Sequence, residues 1–215
     1  MQYQKITLVL CICGVLFASA CNNEKSDKKD PVESKQDAAA DRQSIRQLME
    51  TYNNHFLKGE FEAMTSYVYP PIFEDFSKEN MIESMKASMH PNGFDIQMQT
   101  VTIDSISPVF VEGKGKYALG THNAKALYQF GPNEPLANLR VYCINYSGAF
   151  GNDNVVCDFD KKNFMITMSD ISFFIYSDSL QKWYTLGTSS PETLKKFIPA
   201  GIRTQMGLRD ELIGE

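Results

Sequence analysis

Histidine, cysteine and tryptophan are scarce: 3, 5 and 1 among 215 residues. A metal centre built on His and Cys needs several such ligands at close spacing. No CxxC pair occurs, and none of His55, His90 and His122 stands beside a cysteine or a second histidine, so no metal is expected. Gly113 and Gly115 sit in one short segment, but no Lys-Ser/Thr pair follows and no helix opens there, which excludes a phosphate-cradling loop. Ser189-Ser190 lacks the glycine-flanked elbow of a serine hydrolase. EF-hand, zincin and haem motifs are missing, and no cofactor is expected. Acidic residues outnumber basic ones 26 to 21, for a net charge of −5, with no basic block or aromatic-basic stripe. Nucleic acid is therefore not an expected partner. No apolar run reaches the roughly 20 residues of a membrane-spanning helix.

What is present begins at the N-terminus. Residues 1–5 are a polar start with one positive charge, residues 6–17 are an apolar run of twelve, and Ala18-Ser19-Ala20 places three small side chains before Cys21. This is the layout of a secretory signal peptide. The small-small-small-Cys ending resembles a bacterial lipoprotein box, with Ala18 where such boxes most often carry Leu. The resemblance implies cleavage after Ala20, a diacylglycerol on the Cys21 thiol and an acylated new amino terminus. More than one acyl chain suits an anchor, because a single chain binds membranes only marginally. The partner so implied is the membrane, and the location is a bacterial envelope, on the periplasmic face or the cell surface. An ordinary secreted chain ending in a free Cys21 thiol and a retained anchor are the competing readings.

Eleven of the 21 residues in 22–42 are charged, and Val32 is the only branched aliphatic among them. Such a segment buries too little apolar surface to offset the entropy of ordering it. The expected organisation is a signal peptide over 1–20, a lipidated cysteine and flexible charged tether over 21–41, and one domain over 42–215. Cys11 and Cys13 leave with the signal peptide, so only Cys143 and Cys157 remain in the domain. An oxidising compartment permits a disulfide between them; two independent buried thiols are the alternative.

Apolar residues at Ile45, Leu48, Met49, Tyr52, Phe56 and Leu57 define one helical stripe over 41–58, and Gly59 stands where a left-handed cap would end it. A second helix is predicted over 60–67, stopped by Pro70-Pro71. A third, over 78–89, has Ser77 as N-cap. Beyond Gly93 the period shortens to two. Phe94, Ile96 and Met98 alternate with polar residues, and a phase slip near Thr100-Val101 predicts a bulge. Strands are predicted over 109–111 and 117–130 around the Gly113/Gly115 hairpin, and over 154–158, 164–168, 171–176 and 182–186. Residues 136–150 carry helical spacing, with a strand as the alternative because Val141, Tyr142 and Ile144 favour one. Ser190-Pro191-Glu192 opens a last short helix to Ile198. Helices followed by antiparallel strands give an α+β class.

The stretch Tyr52-Asn-Asn-His-Phe-Leu-Lys-Gly-Glu-Phe-Glu-Ala-Met-Thr-Ser-Tyr-Val-Tyr-Pro-Pro-Ile-Phe73 resembles the opening of nuclear transport factor two-like domains, the superfamily of ketosteroid isomerase and polyketide-cyclase-like proteins. Lys182-Trp183-Tyr184-Thr185-Leu186 is similar to their final strand. The resemblance covers about residues 42–200. It implies N-terminal helices packed on a strongly curved antiparallel sheet that forms a cone, with Trp183 closing it.

Enzymes of that superfamily place Asp, His or Tyr in the mouth of the cone, where burial tunes an acid or phenol for proton transfer. The candidates are His122, Asp75 and Tyr67, with His55 the less apt because a helical histidine of this kind is usually structural. His90, beside Pro91, reads as a helix-end residue. His122 lies between Thr121 and Asn123, a polar cluster that faces the cone or the solvent according to strand phase. Phe56, Tyr67, Tyr69 and Phe73 are candidate ligand-contacting aromatics; packing at the corner between helices is the plainer reading of the last three. The expected function is binding of a small apolar ligand or a partner protein without catalysis. The alternatives are an isomerase, dehydratase or cyclase using an Asp or His, and a structural subunit forming a homodimer through its sheet.

Overall fold

The computed structural model describes residues 35–91, 93–187 and 190–208; Cys21 and the expected signal peptide lie outside them. The first element, α1 (Lys35–Leu57), begins six residues before the expected start. Residues 35–41 of the expected tether are thus helical. Ala38, Ala39 and Ala40 are the strongest helix formers, and Asp41 pins this first part of α1 to the sheet. Its Oδ1 accepts from Trp183 Nε1 at 3.0 Å and its Oδ2 from Lys116 Nζ at 2.7 Å. The predicted stripe is the buried one: Ile45, Leu48 and Met49 pack with Ala118, Phe174 and Trp183. Gly59 ends the helix at φ +69°, and its N–H donates to the Phe56 carbonyl.

The second helix is shorter than expected. It comprises α2 (Phe61–Met64) and a 3-10 turn at Thr65–Tyr67, and Pro70 opens a further 3-10 turn. Ser77 Oγ accepts from the Asn80 N–H at 3.1 Å and caps α3 (Lys78–Met89) as its position predicts.

Six strands form one antiparallel sheet: β1 (Phe94–Ile106), β2 (Phe110–Glu112), β3 (Gly115–Phe130), β4 (Val155–Asp158), β5 (Asn163–Ser177) and β6 (Lys182–Thr185). The order is β1-β3-β5-β4, with β2 added to β3 and β6 to β5. The chain is therefore an α+β protein. β1 slips register between Met98 and Thr100, at the predicted phase change, and again between Ile103 and Ser105. The two strands predicted over 164–168 and 171–176 are one continuous β5. The polar pair Ser169-Asp170, which read as a break, stays in register opposite Asn123 and His122.

Between β3 and β4 lies α4 (Leu136–Phe150), which decides the open alternative over 136–150 in favour of helix. Leu139 packs with Tyr128, Phe130, Val155, Phe164 and Ile166. Cys143 of α4 and Cys157 of β4 form a disulfide. The strand-forming residues Val141 and Ile144 lie on the opposite, exposed side of the helix.

The C-terminal part supplies a third core. After β6 come α5 (Pro191–Phe197), capped by Ser190 as expected, and α6 (Ala200–Gln205), which the sequence pattern did not suggest. Leu194, Ile198 and Ile202 join Val68, Ile72, Met81, Phe173 and Ile175. Val68 makes a parallel bridge to Thr185, and Tyr69 N–H donates to the Thr185 carbonyl at 2.8 Å, which covers the free edge of β6. Among the described residues no helix is long and apolar enough to cross a membrane.

Candidate functional site

His122 is a half-buried imidazole on the face of β3 that looks at α1, so the strand phase left open by the sequence is fixed. Thr121 and Asn123 point the other way, as the period of two requires. Thr121 Oγ1 shares a hydrogen bond of 2.8 Å with Ser105 Oγ. Asn123 Nδ2 donates to Asp104 Oδ2 at 2.6 Å, and Asn123 Oδ1 accepts from Ser169 Oγ. Cross-strand pairing puts Asp170 of β5 directly opposite His122, with Asp170 Oδ2 3.9 Å from His122 Nε2.

Two residues away, Gly120 lies beneath the Met49 side chain of α1. A Cβ built there would lie 2.5 Å from Met49 Sδ and 2.9 Å from the Phe174 ring. A side chain there would have to displace the Met49 thioether and the edge of the Phe174 ring. With α1 seated, Tyr52, Asn53 and Phe56 face His122, Asp170 and Ser172 across a cavity of about 360 Å³. Met64 of α2, Met85 and Ser88 of α3, Ile171 and Phe173 of β5, Thr185 of β6 and Gly187 beyond it complete its wall. Gly187 sits at φ +66°, and a side chain there would crowd Val68 as well as strain the backbone.

Two residues of this wall each carry a buried polar atom without a hydrogen-bond partner: Asn53 Nδ2 and His122 Nδ1. Asn53 itself is 9% exposed. Leaving a buried donor or acceptor unpaired costs about 1–3 kcal/mol, and such groups are a few per cent of those buried in native structures. Burial also sets the ionisation here. It pushes the Tyr52 phenol up to about 12, with the nearby Asp170 carboxylate adding to the effect, so Tyr52 stays a protonated donor. Burial lowers the His122 pKa below its ordinary 6.5, against the opposing pull of the Asp170 and Asp104 carboxylates. The imidazole is therefore neutral at pH 7.

That shift has a measurable consequence for stability. As pH falls through 6.5, the unfolded chain takes up a proton at residue 122 that the folded chain refuses until its lower pKa is reached. Folding stability thus drops across that window and levels below it. His122→Gln should remove this component, so urea midpoints between pH 5 and 7.5 should vary less in the variant than in the parent. Equal slopes would show that the imidazole is not held neutral by burial.

The other sequence candidates fall elsewhere. Asp75 is exposed, paired with Lys196, and borders a neighbouring cavity rather than the one at His122. Tyr67 lies against the His55 ring, with centroids 5.7 Å apart. Tyr69 packs on Tyr184 and Phe197. Phe73 lies beneath the Lys78 ammonium. All three make packing contacts away from His122; of the four candidate aromatics only Phe56 is among the residues that line the cavity. His55 Nδ1 pairs with Glu60 and His90 Nδ1 with Asp95, both structurally. Tyr52, Asn53 and Asp170 were not singled out by sequence. Asn53 follows Met49 by four residues and precedes Phe56 by three, a polar residue on the buried stripe, and that was the available signal.

Compared with known proteins, the chain matches no family model and no curated relative.

Proposed function

We propose that this chain is a membrane-anchored bacterial lipoprotein whose globular domain holds a small molecule in the cavity between α1 and the sheet, without catalysis. The observation that supports the ligand is the cavity of about 360 Å³ between α1 and the sheet, where the polar side chains of Tyr52, Asn53 and His122 converge beside an apolar lining. In this reading the twice-bulged β1 and its neighbours curl round the helices as a cone of the nuclear transport factor two-like kind, with the cavity inside. The lining mixes Phe56, Met64, Met85 and Phe173 with polar groups, so the ligand is mainly apolar with a polar end.

A specific observation also favours a second reading. A neutral imidazole opposite a carboxylate and near a protonated phenol is a set that can move a proton, as an isomerase requires. Native mass spectrometry of the protein from its own membrane separates the readings. A non-catalytic carrier should release one unaltered molecule per chain, and Asn53→Leu together with His122→Leu should abolish its recovery while the chain stays folded. A recovered mixture of substrate and isomer that re-equilibrates on fresh protein would replace binding with catalysis. The anchor is tested separately: labelled palmitate should enter the chain, and Cys21→Ala should block it. Failure to incorporate palmitate would remove the lipoprotein half of the reading.

A further inference from the structure

Helix α4 carries two stripes at the same spacing. Leu139, Cys143, Tyr146 and Phe150 turn inward onto the sheet. Ala137, Val141, Ile144 and Gly148 repeat the steps of four, three and four residues on the outward side, roughly opposite. All four are exposed, Val141 by 54% and Ile144 by 72%. A 4-3-4 repeat is the seam along which a second helix packs at a shallow angle. Gly148 adds a separate observation. It lies inside the helix, where glycine is destabilising relative to alanine, yet a Cβ there would meet nothing within 4 Å. Nothing among the described residues requires a glycine at 148; the close approach of another helix would.

The outward stripe is complementary to itself. Let two copies of α4 lie antiparallel about a two-fold axis passing between Tyr142 and Cys143. Val141 then faces Ile144 of the second copy, and Ala137 faces Gly148. Large side chains meet at the centre and small ones at both ends. The same symmetry sets Arg140 beside Asn145 of the second copy, a guanidinium donor beside an amide oxygen. Arg140 is the only charged residue of α4, so pairing brings no carboxylates together although the chain carries a net charge of −5. Every contact occurs twice, as an isologous interface requires.

A bilayer fits this face less well on position. Asp41 holds the first part of α1 against Lys116, at one end of β3. Leu139 of α4 packs on Phe130, at the other end. A lipid on Cys21 would therefore join the domain at the end away from α4.

We infer that the outward face of α4 is a homodimer seam, with two copies of the helix antiparallel and Val141 and Ile144 at its centre. The seam is one helix long, about 22 Å, and belongs to the small class of interfaces that associate weakly and reversibly.

Sedimentation equilibrium of the purified full chain in density-matched detergent, from about 1 µM to 1 mM, tests it. A monomer–dimer equilibrium is expected. Ile144→Asp should weaken it at least about a hundredfold, because a carboxylate enters the seam twice. In dilute solution the same variant should lose no more than about 2 °C of melting temperature. Asn145→Asp places a carboxylate beside Arg140 and should tighten the dimer about three- to tenfold. Asn145→Arg should loosen it by a similar factor, and Arg140→Glu combined with Asn145→Arg should restore it. A chain that stays monomeric throughout, or a dimer indifferent to Ile144→Asp, overturns the inference. A dimer lost in Ile144→Asp but unmoved by the charge variants overturns the antiparallel register. A larger fall in the melting temperature of dilute Ile144→Asp would put another segment of the same chain on this face, and the seam with a second copy would fall.

Discussion

Reduction of the Cys143–Cys157 bond, or Cys143→Ser, should cost about 3 kcal/mol of stability, the entropy of a loop of roughly 15 residues closed in the unfolded chain. The two cysteines are 14 apart in sequence. In a domain of this size the expected fall in melting temperature is about 6–12 °C. The position of the bond suggests a local component as well. β4 is a four-residue strand paired only with β5, and the disulfide is its covalent tie to α4. Differential scanning calorimetry of the oxidised chain, the same chain with a reductant, and Cys143→Ser should give one high and two matching low transitions. A transition unmoved by both treatments would mean that the bond adds nothing, and would remove the argument that this chain is adapted to fold where thiols are oxidised.

How far the sequence reveals such features depends on whether their cause is local. The α1 stripe, the Ser77 and Ser190 caps, the Gly59 terminus and the β1 bulge were all legible, because each is set by spacing or by backbone chemistry within a few residues. The errors came where distant residues decide. Lys35 to Asp41 reads as solvated tether until Trp183 and Lys116 are seen to hold Asp41. Ser169-Asp170 reads as a break until Asn123 and His122 pair with it. The cavity follows the same rule. His122 was a candidate by residue type alone, but its importance comes from Asn53, 69 positions earlier, and Asp170, 48 later. Gly120 leaves room for the Met49 thioether beside them, and in sequence it is only a glycine in a strand. The aromatic-rich corner from Tyr67 to Phe73 drew attention because it is dense in the chain, yet its rings are spent on Tyr184, Phe197 and the ends of helices.

Phe164→Ala should be more damaging still, at about 3–5 kcal/mol, the usual cost of removing a buried aromatic ring. Phe164 is fully buried, its ring centroid 4.7 Å from that of Phe130 and 6.2 Å from those of Tyr146 and Phe159. Three chain segments therefore converge on it: the end of β3, α4 and the turn into β5. It also stands opposite Cys157 in the β4–β5 pairing, so the ring and the disulfide hold the same edge. Two constraints on one element are not independent. If the ring is lost, α4 and β4 already fray, and cutting the bond costs less than it does in the parent; the double variant Phe164→Ala/Cys143→Ser should fall short of the sum of its parts. Urea midpoints of the four proteins form the cycle that measures this. Strict additivity would show that the disulfide acts only on the unfolded chain and not on the packing of α4. The cavity at His122 draws its walls from α1, α2, α3, β6, residue 122 of β3 and residues 170–173 of β5, whereas the Phe164 cluster takes residues 126–130 of β3 and 164–166 of β5, with Met89 of α3 against it. Under conditions where Phe164→Ala remains folded, recovery of the molecule that co-purifies with the parent should therefore persist, and its loss would mean that the α4 end of the sheet holds the binding site in shape.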